Sequence, residues 1–417
     1  MEDILPTDVR LWQWIESVAR RELELYGYEE IRTPALEDTG LFARSIGETT
    51  DIVTKEMYTF KDRKDRSLTL RPEGTAPIVR AFIEHSLDKI SRDSRLYYIG
   101  PMFRSERPQK GRSRQFYQIG VERFGGDSYS VDATMILQLH RMLESLGLSR
   151  FTIKINTLGC KSDKESFADD LKEYLEEKRS LLCGDCKERI GKNVLRTLDC
   201  KNENCIQIVR GAPNIIGSLC DVCKDHYNMM KNALNGMQIP FVETKNLVRG
   251  IDYYTGTVFE VTHPALGGQD AIGAGGRYDD LVKDMGGADT KAIGYAVGIE
   301  RIIIALGVAE HIAKPKVIYV AILGDGARQE GEKIAEEMRT CLGRKFDKRI
   351  SVMTGGRDAS LKSQMRNADK LESSIVLILG EEEIKKRTVI IKDMEKRQQT
   401  EVSRGAYITE LKNRLGE

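Results

Sequence analysis

Residues 97–124, YYIGPMFRSERPQKGRSRQFYQIGVERF, decide how this chain is read. Two runs with strand character, Leu96 to Arg104 and Arg114 to Phe124, flank a long charged loop. Side chains two apart share one face of a strand. Arg114, Phe116, Gln118, Gly120, Glu122 and Phe124 therefore line one side of the second run. A core face would carry Val or Leu there. Gly120 instead leaves an opening between an amide and a carboxylate, which predicts a pocket floor. The loop carries Arg104, Arg107, Lys110, Arg112 and Arg114 against one acid, Glu106. It is longer than the usual hairpin connection of about two to five residues. Charge alone reads as a solvated loop. Above a polar pocket face it reads as a grip on phosphates, a nucleotide's or an RNA backbone's.

The bulk properties restrict the rest. A chain of 417 residues is long for one domain, so two or more are expected. The formal net charge of +1 argues against general nucleic-acid stickiness, so RNA contact would come from local patches. No apolar run of about eighteen residues is present, and the N-terminus lacks the basic-then-apolar order of a signal peptide. A cytoplasmic protein is expected. Its eight cysteines then read as thiols or metal ligands rather than disulfides.

FRSERPQKGRSRQFYQIGVERFG, residues 103–125, resembles the second signature motif of the class II aminoacyl-tRNA synthetases, in the form of the histidyl-tRNA synthetase family. The resemblance implies an α/β architecture. An antiparallel catalytic sheet flanked by helices would carry a helical insertion and be followed by a C-terminal α/β anticodon-binding domain. It implies that Arg104 contacts the ATP α-phosphate, with Arg114 also on ATP. The loop would hold the tRNA acceptor end, read by Arg107 and Gln109. Gln118 and Glu122 would bind the amino acid.

Other segments extend the match. In RPEGTAP (71–77), Glu73 and Thr75 stand just before a helix. They could cap that helix or hold a substrate ammonium, and the resemblance favours the ammonium. LVRGIDYYTGTVFEVTHP (247–264) is similar to the signature peculiar to the histidine enzymes. It implies that Arg249 stabilises the reacting carboxylate and α-phosphate. Asp252 could orient Arg249, and Tyr253 and Tyr254 would present hydroxyls on opposite sides of a strand. Paired strand tyrosines otherwise read as packing. Imidazole has two nitrogens that donate or accept, so Glu122 could take one N–H and Tyr254 the other nitrogen. Such a pocket rejects analogues lacking a partner. In AIGAGGRYDDLVKDMGG (271–287), Tyr278 resembles a histidine-pocket residue, and Ala274 stands where the family has glycine. AIGYAVGIERIIIAL (292–306) resembles the third class II motif, which implies Arg301 over the γ-phosphate.

The implied layout is a catalytic core at 1–160 and 241–306, a cysteine-rich insertion at 161–240, a linker at 307–315 and an anticodon-binding domain at 316–417. The last segment alternates strands and helices, as a largely parallel sheet would. Residues 160–240 hold Cys160, Cys183, Cys186, Cys200, Cys205, Cys220 and Cys223. The pairs Cys183-x-x-Cys186 and Cys220-x-x-Cys223 could each supply two thiolates to one tetrahedral structural zinc. Idle thiols are the other reading. The resemblance further implies a homodimer, Mg-ATP and histidine as substrates, tRNA(His) as acceptor, and a histidine–tRNA ligase reaction. Two non-catalytic readings of the same fold exist. One is the regulatory subunit of short-form ATP phosphoribosyltransferase, which loses much of the RGIDYYTG signature and the last domain. The other is a sensor of uncharged tRNA, which normally accompanies a kinase region.

Overall fold

In the computed structural model, the residues described are 3–47, 50–107, 109–268, 270–307, 316–343, 350–356 and 359–415. The chain divides into two compact units, Met1–Ala309 and Glu310–Glu417. The linker expected at 307–315 lies, beyond Gly307, outside the described residues.

The first unit has the strands β1 (Glu29–Glu30), β2 (Leu36–Asp38), β3 (Tyr58–Lys61), β4 (Ser67–Leu70), β5 (Ser94–Phe103), β6 (Gln115–Phe124), β7 (Thr152–Thr157), β8 (Val242–Glu243), β9 (Thr255–Thr262), β10 (Ala271–Arg277) and β11 (Ala292–Gly298). Among the described residues, eight form one sheet in the order β1-β5-β6-β11-β10-β9-β7-β8. Its six central strands are antiparallel, and the short β1 and β8 add to the edges in parallel. The strands β2, β4 and β3 make a small separate sheet.

The alternation along β6 decides what each face of the large sheet does. Ile119 and Val121 are fully buried in the main core. They meet Ile153, Phe259, Val261 and Tyr295 from neighbouring strands. Over them lie the helices Val9–Leu25, through Ile15, Val18 and Leu23, and Tyr129–Ser145, through Met135, Ile136 and Leu139. Each such side chain contributes roughly 1.5–3 kcal/mol by leaving water. The opposite face carries Gly120, Glu122 and Phe124. Phe124 stacks on Phe82 of the helix Thr75–Glu84, ring centroids 4.2 Å apart. That face gives up apolar burial at Glu122 and Gly120, and the recess lies there.

After β7 the chain leaves the sheet. The helices Lys161–Glu177, Gly184–Lys192 and Glu203–Arg210 build a separate small core from Phe167, Leu171, Leu175, Ile190, Cys186 and Cys205. The next helix, Asp221–Gly236, sends Tyr227, Met230 and Leu234 into the main core instead. That return separates the cysteines. Cys183 and Cys186 gather with Cys200 and Cys205, whereas Cys220 and Cys223 gather with Cys160 and Asp163. The single four-thiolate site expected from Cys183, Cys186, Cys220 and Cys223 is therefore not formed. The helix carrying the second pair belongs to a different core from the helix carrying the first.

The second unit has β12 (Lys316–Ile322), β13 (Ile350–Thr354), β14 (Ile375–Leu379), β15 (Thr388–Asp393) and β16 (Gln398–Ser403), in the order β13-β12-β14-β15-β16. The first three are parallel and the last two antiparallel, so the sheet is mixed rather than largely parallel. TVIIKD and QQTEVS are two short β runs around a polar turn, closed by Arg397 at φ 55°. Ile318, Val320, Leu377 and Ile391 centre its core.

Candidate active site

The recess is built from segments that the sheet order brings together. β6 supplies Phe116 and Gln118, β5 supplies Tyr98, and Glu73 and Thr75 stand at the start of the helix Thr75–Glu84. Tyr253 and Tyr254 come from the turn before β9, and Tyr278 follows β10. Arg249, Arg104 and Arg301 complete the lining. The inner cavity measures about 210 Å³, the scale of an amino acid. It opens past Arg104, Arg112, Arg249 and Arg301 into an outer recess of about 950 Å³, which has room for a nucleotide.

Among the described residues, six buried side-chain polar atoms have no hydrogen-bond partner, and three belong to this lining: Tyr98 Oη, Gln118 Oε1 and Arg249 Nε. An unsatisfied buried group costs roughly 1–3 kcal/mol. Three of them converging on one cavity mark it as shaped for a polar ligand.

Glu122 is 1 % exposed and does not line the cavity. It accepts from Thr75 Oγ1 at 2.7 Å and from the Tyr278 hydroxyl. The sequence reading put Glu122 against the imidazole. The carboxylate instead stands one layer back and holds two of the hydroxyl-bearing residues that do line the cavity. Burial pushes its carboxyl up from 4.5 to about 8. Between those two values the folded chain keeps a proton that the unfolded chain has released. The contribution of Glu122 to stability therefore falls as pH rises across that window and levels off above it. Glu122→Gln, which cannot ionise, should lose this dependence. Thermal unfolding between pH 5 and 9 should show the variant gaining on the parent chain with rising pH. A constant difference would exclude a carboxyl that titrates in that range.

Glu73 does what a capping residue does. Its two oxygens accept from the backbone N–H of Thr75 at 2.7 Å and of Ala76 at 2.8 Å. It also lines the cavity, and carboxylate oxygens carry more than one acceptor site each. Capping and ammonium binding are thus compatible here. Thr75 spends its hydroxyl on Glu122.

Arg249 donates from Nη1 to Glu260 Oε2 at 2.8 Å. Asp252, expected to orient it, accepts instead from Asn193 Nδ2 at 2.7 Å. Tyr253 and Tyr254 are not on opposite sides of a strand. Both precede β9, both line the cavity, and their rings lie 4.7 Å apart. Burial raises the hydroxyl of Tyr254 to about 12, so both remain donors at neutral pH. Arg104 donates to the Pro72 carbonyl at 2.9 Å and lies 5.4 Å from the Phe116 ring centre. Arg301 donates from Nε to the Gly111 carbonyl at 3.2 Å, which holds the charged loop down.

The loop residues divide. Arg112 lines both cavities and pairs with Glu106 at 2.8 Å. Arg114, Arg107 and Gln109 are exposed and line neither. Of the two arginines, Arg112 lines the site and Arg114 does not.

Tyr98 is the residue that sequence reasoning missed. It pairs directly with Gly120 across β5 and β6. The opening above Gly120 is filled by its ring: a methyl built on Gly120 would lie 2.0 Å from Tyr98 Cζ. A methyl on Gly74 would lie 2.1 Å from the same atom. A tyrosine placed opposite a glycine in the hairpin register was the available signal.

Residues 1–162 and 218–302 match the family model described as Histidyl-tRNA synthetase, and residues 317–414 match the Anticodon binding domain. The chain is 48% identical over 406 residues to the histidine–tRNA ligase of Thermosipho melanesiensis, covering 97% of this chain and 95% of that one. It is also 44% identical over 417 residues to the histidine–tRNA ligase of Thermotoga petrophila, covering 99% and 97%. The crystal structure of apo S. aureus histidyl-tRNA synthetase superposes with a TM-score of 0.82 at 32% identity, covering 98% and 97%. A Bacillus halodurans structure, described as an ATP phosphoribosyltransferase regulatory subunit/histidyl-tRNA synthetase, shares the fold at TM-score 0.63 and 22% identity, covering 88% of this chain and 94% of that one.

Proposed function

The chain belongs to the histidyl-tRNA synthetase family, and from that premise we propose how its pocket joins histidine to tRNA(His). The observation that carries the reading is the convergence of Tyr98 Oη, Gln118 Oε1 and Arg249 Nε, all buried and unpartnered, on an amino-acid-sized cavity that opens onto an arginine-lined recess.

Histidine enters the inner cavity with its ammonium against Glu73, Gln118 and the Tyr98 hydroxyl. Its imidazole meets Tyr253, Tyr254 and Tyr278, whose hydroxyl Glu122 fixes; Glu122 acts as a positioning residue. Glu106, which lines both cavities, and Glu300, which lines the inner one, carry hard oxygen donors of the kind that suit Mg²⁺. That ion, when bound with ATP, would neutralise phosphate charge.

The substrate carboxylate attacks the α-phosphorus, the bond to the bridging oxygen breaks, and pyrophosphate leaves with its electron pair. The carboxylate is already a nucleophile, so the step needs no general base from the protein. Alignment and stabilisation of developing charge by Arg104 and Arg249 suffice. A hydroxyl of the terminal ribose of tRNA then attacks the acyl carbon, the bond from that carbon to the phosphate oxygen breaks, and AMP departs with the electron pair, its phosphate taking up the hydroxyl proton. The outer recess leads from the site toward Arg189 of the insertion, a cation for the acceptor end, while Arg196 and Lys201 on the same wall are paired with Asp51 and Asp199. Arg107 and Gln109, exposed on the loop, remain the proposed readers of that end, and Arg112 and Arg301 the nucleotide contacts beside Arg104.

The reading includes a homodimer, which the exposed Leu36 and Phe60 of the small sheet support. Light scattering on the purified protein would test it. Among the described residues no helix is long and apolar enough to cross a membrane. The proposed setting is the cytoplasm, where tRNA is charged.

The experiment is exchange of labelled pyrophosphate into ATP. Histidine alone should drive it, with the other amino acids at background. Folded protein that gives no exchange would overturn the reading in favour of a regulatory subunit, and binding to a phosphoribosyltransferase would be measured next.

A further inference from the structure

The two cysteine groups have the geometry of ion sites. In each, four potential ligand atoms lie within 4.8 Å of one another. The first group draws Cys183 and Cys186 from the start of one helix, Cys200 from a loop, and Cys205 from another helix. A tetrahedral ion with Zn–S bonds of about 2.3 Å spaces its sulfurs about 3.8 Å apart. Cys183 and Cys200 Sγ stand 3.9 Å apart. Cys205 Sγ accepts from the Cys183 N–H at 3.3 Å. Disulfides would join these sulfurs two by two. Convergence of all four on one point is what an ion requires.

The second group is built differently. Cys160 and Cys220 each stand at the N-cap of a helix. Asp163 lies between them, with Oδ2 accepting from the Cys160 N–H at 3.2 Å and Oδ1 from the Cys220 N–H at 3.0 Å. Cys223 completes the set. We propose that the chain binds two zinc ions at separate structural sites, one held by Cys183, Cys186, Cys200 and Cys205, the other by Cys160, Asp163, Cys220 and Cys223.

The two sites do different work. The four-cysteine ion ties together the segments of the insertion that wall the outer recess, Cys183 and Cys200 among them. The second ion joins Cys160, just past the strand where the chain leaves the large sheet, to Cys220, where the helix that packs back onto the main core begins. It thereby closes the base of the insertion. Lys164, next to Asp163, donates to the carbonyls of Asp252 at 2.9 Å and Tyr254 at 3.1 Å. The closed base therefore also braces the turn that carries both pocket tyrosines.

Metal analysis of the full-length protein, purified without chelator, tests this. About two zinc per chain are expected. Cys200→Ser and Cys223→Ser should each leave about one, the double variant none, and Cys341→Ser, in the second unit, about two. If the serine variants fail to fold, the parent chain still decides. Titrating its thiols with a mercurial should release two zinc ions, and cobalt exchanged into it should give the intense visible bands of tetrahedral thiolate sites. Metal-free protein that takes up no cobalt would overturn the proposal. So would a single zinc lost equally in Cys200→Ser and Cys223→Ser, or iron in place of zinc.

Discussion

Arg249→Ala should lower the rate of histidyl-adenylate formation by about 10²–10³-fold, the scale on which removing one preorganised donor from a reacting oxyanion is felt. Arg249 lines both the inner cavity and the outer recess, so it stands where carboxylate and α-phosphate would meet. Its Nη1 is committed to Glu260, while its buried Nε has no partner. The guanidinium is thus aimed before substrate arrives and does not reorganise during the step. The fold should survive the change. The Arg249–Glu260 pair is partly exposed, at 23 % and 18 %, and pairs of that kind contribute about 0–1 kcal/mol. Arg249→Lys should recover little, because a point charge cannot both hold Glu260 and present a fixed N–H to the cavity. Single-turnover adenylate formation, with a melting curve on the same sample, separates the two effects. A near-normal rate in folded Arg249→Ala would remove the role. A loss in KM for histidine alone would make Arg249 a ground-state binding residue.

The same arginine illustrates what the sequence could and could not disclose. Its placement in RGIDYYTG made it a candidate, but its partner was sought nearby, at Asp252. The turn at 250–254 directs Asp252 toward Asn193 of the insertion, and the chain then re-enters the sheet so that Glu260 comes alongside. Partnerships set by tertiary return do not show in local spacing. The cysteines failed in the same way: two CxxC motifs look alike in sequence but begin helices that pack into different cores. What period alone could establish, it did. The two faces of β6 were legible, because alternation along one strand needs no knowledge of its neighbours. Glu122 was legible as a carboxylate on the pocket face of β6, but not as one standing behind the lining. Its partners Thr75 and Tyr278, far along the chain, were not.

Tyr98 stayed hidden for a related reason, and its position sets the second large expected effect. The face of β6 was read one strand at a time, so Gly120 looked like empty space. In the sheet Tyr98 is its direct partner, and the ring lies across the glycine. It cannot retreat, since Gly74 approaches it as closely as Gly120 does. Gly120→Ala therefore forces the ring out of its slot. Overpacking of this kind usually costs about 1–3 kcal/mol and occasionally more. Here the ring also carries a hydroxyl that faces the cavity, so histidine activation should fall together with stability. Tyr98→Phe in the Gly120→Ala background should restore nothing, because the methyl clashes with Cζ itself and not only with the oxygen. Tyr98→Leu in that background makes room and should recover most of the melting temperature while leaving exchange activity low. Contacting residues are expected to couple in this way, with interaction energies of about 0.5–3 kcal/mol. Additive losses across the Tyr98→Leu and Gly120→Ala cycle would mean that the ring has another place to go. Full activity in the double variant would show that the Tyr98 hydroxyl is not part of the histidine site.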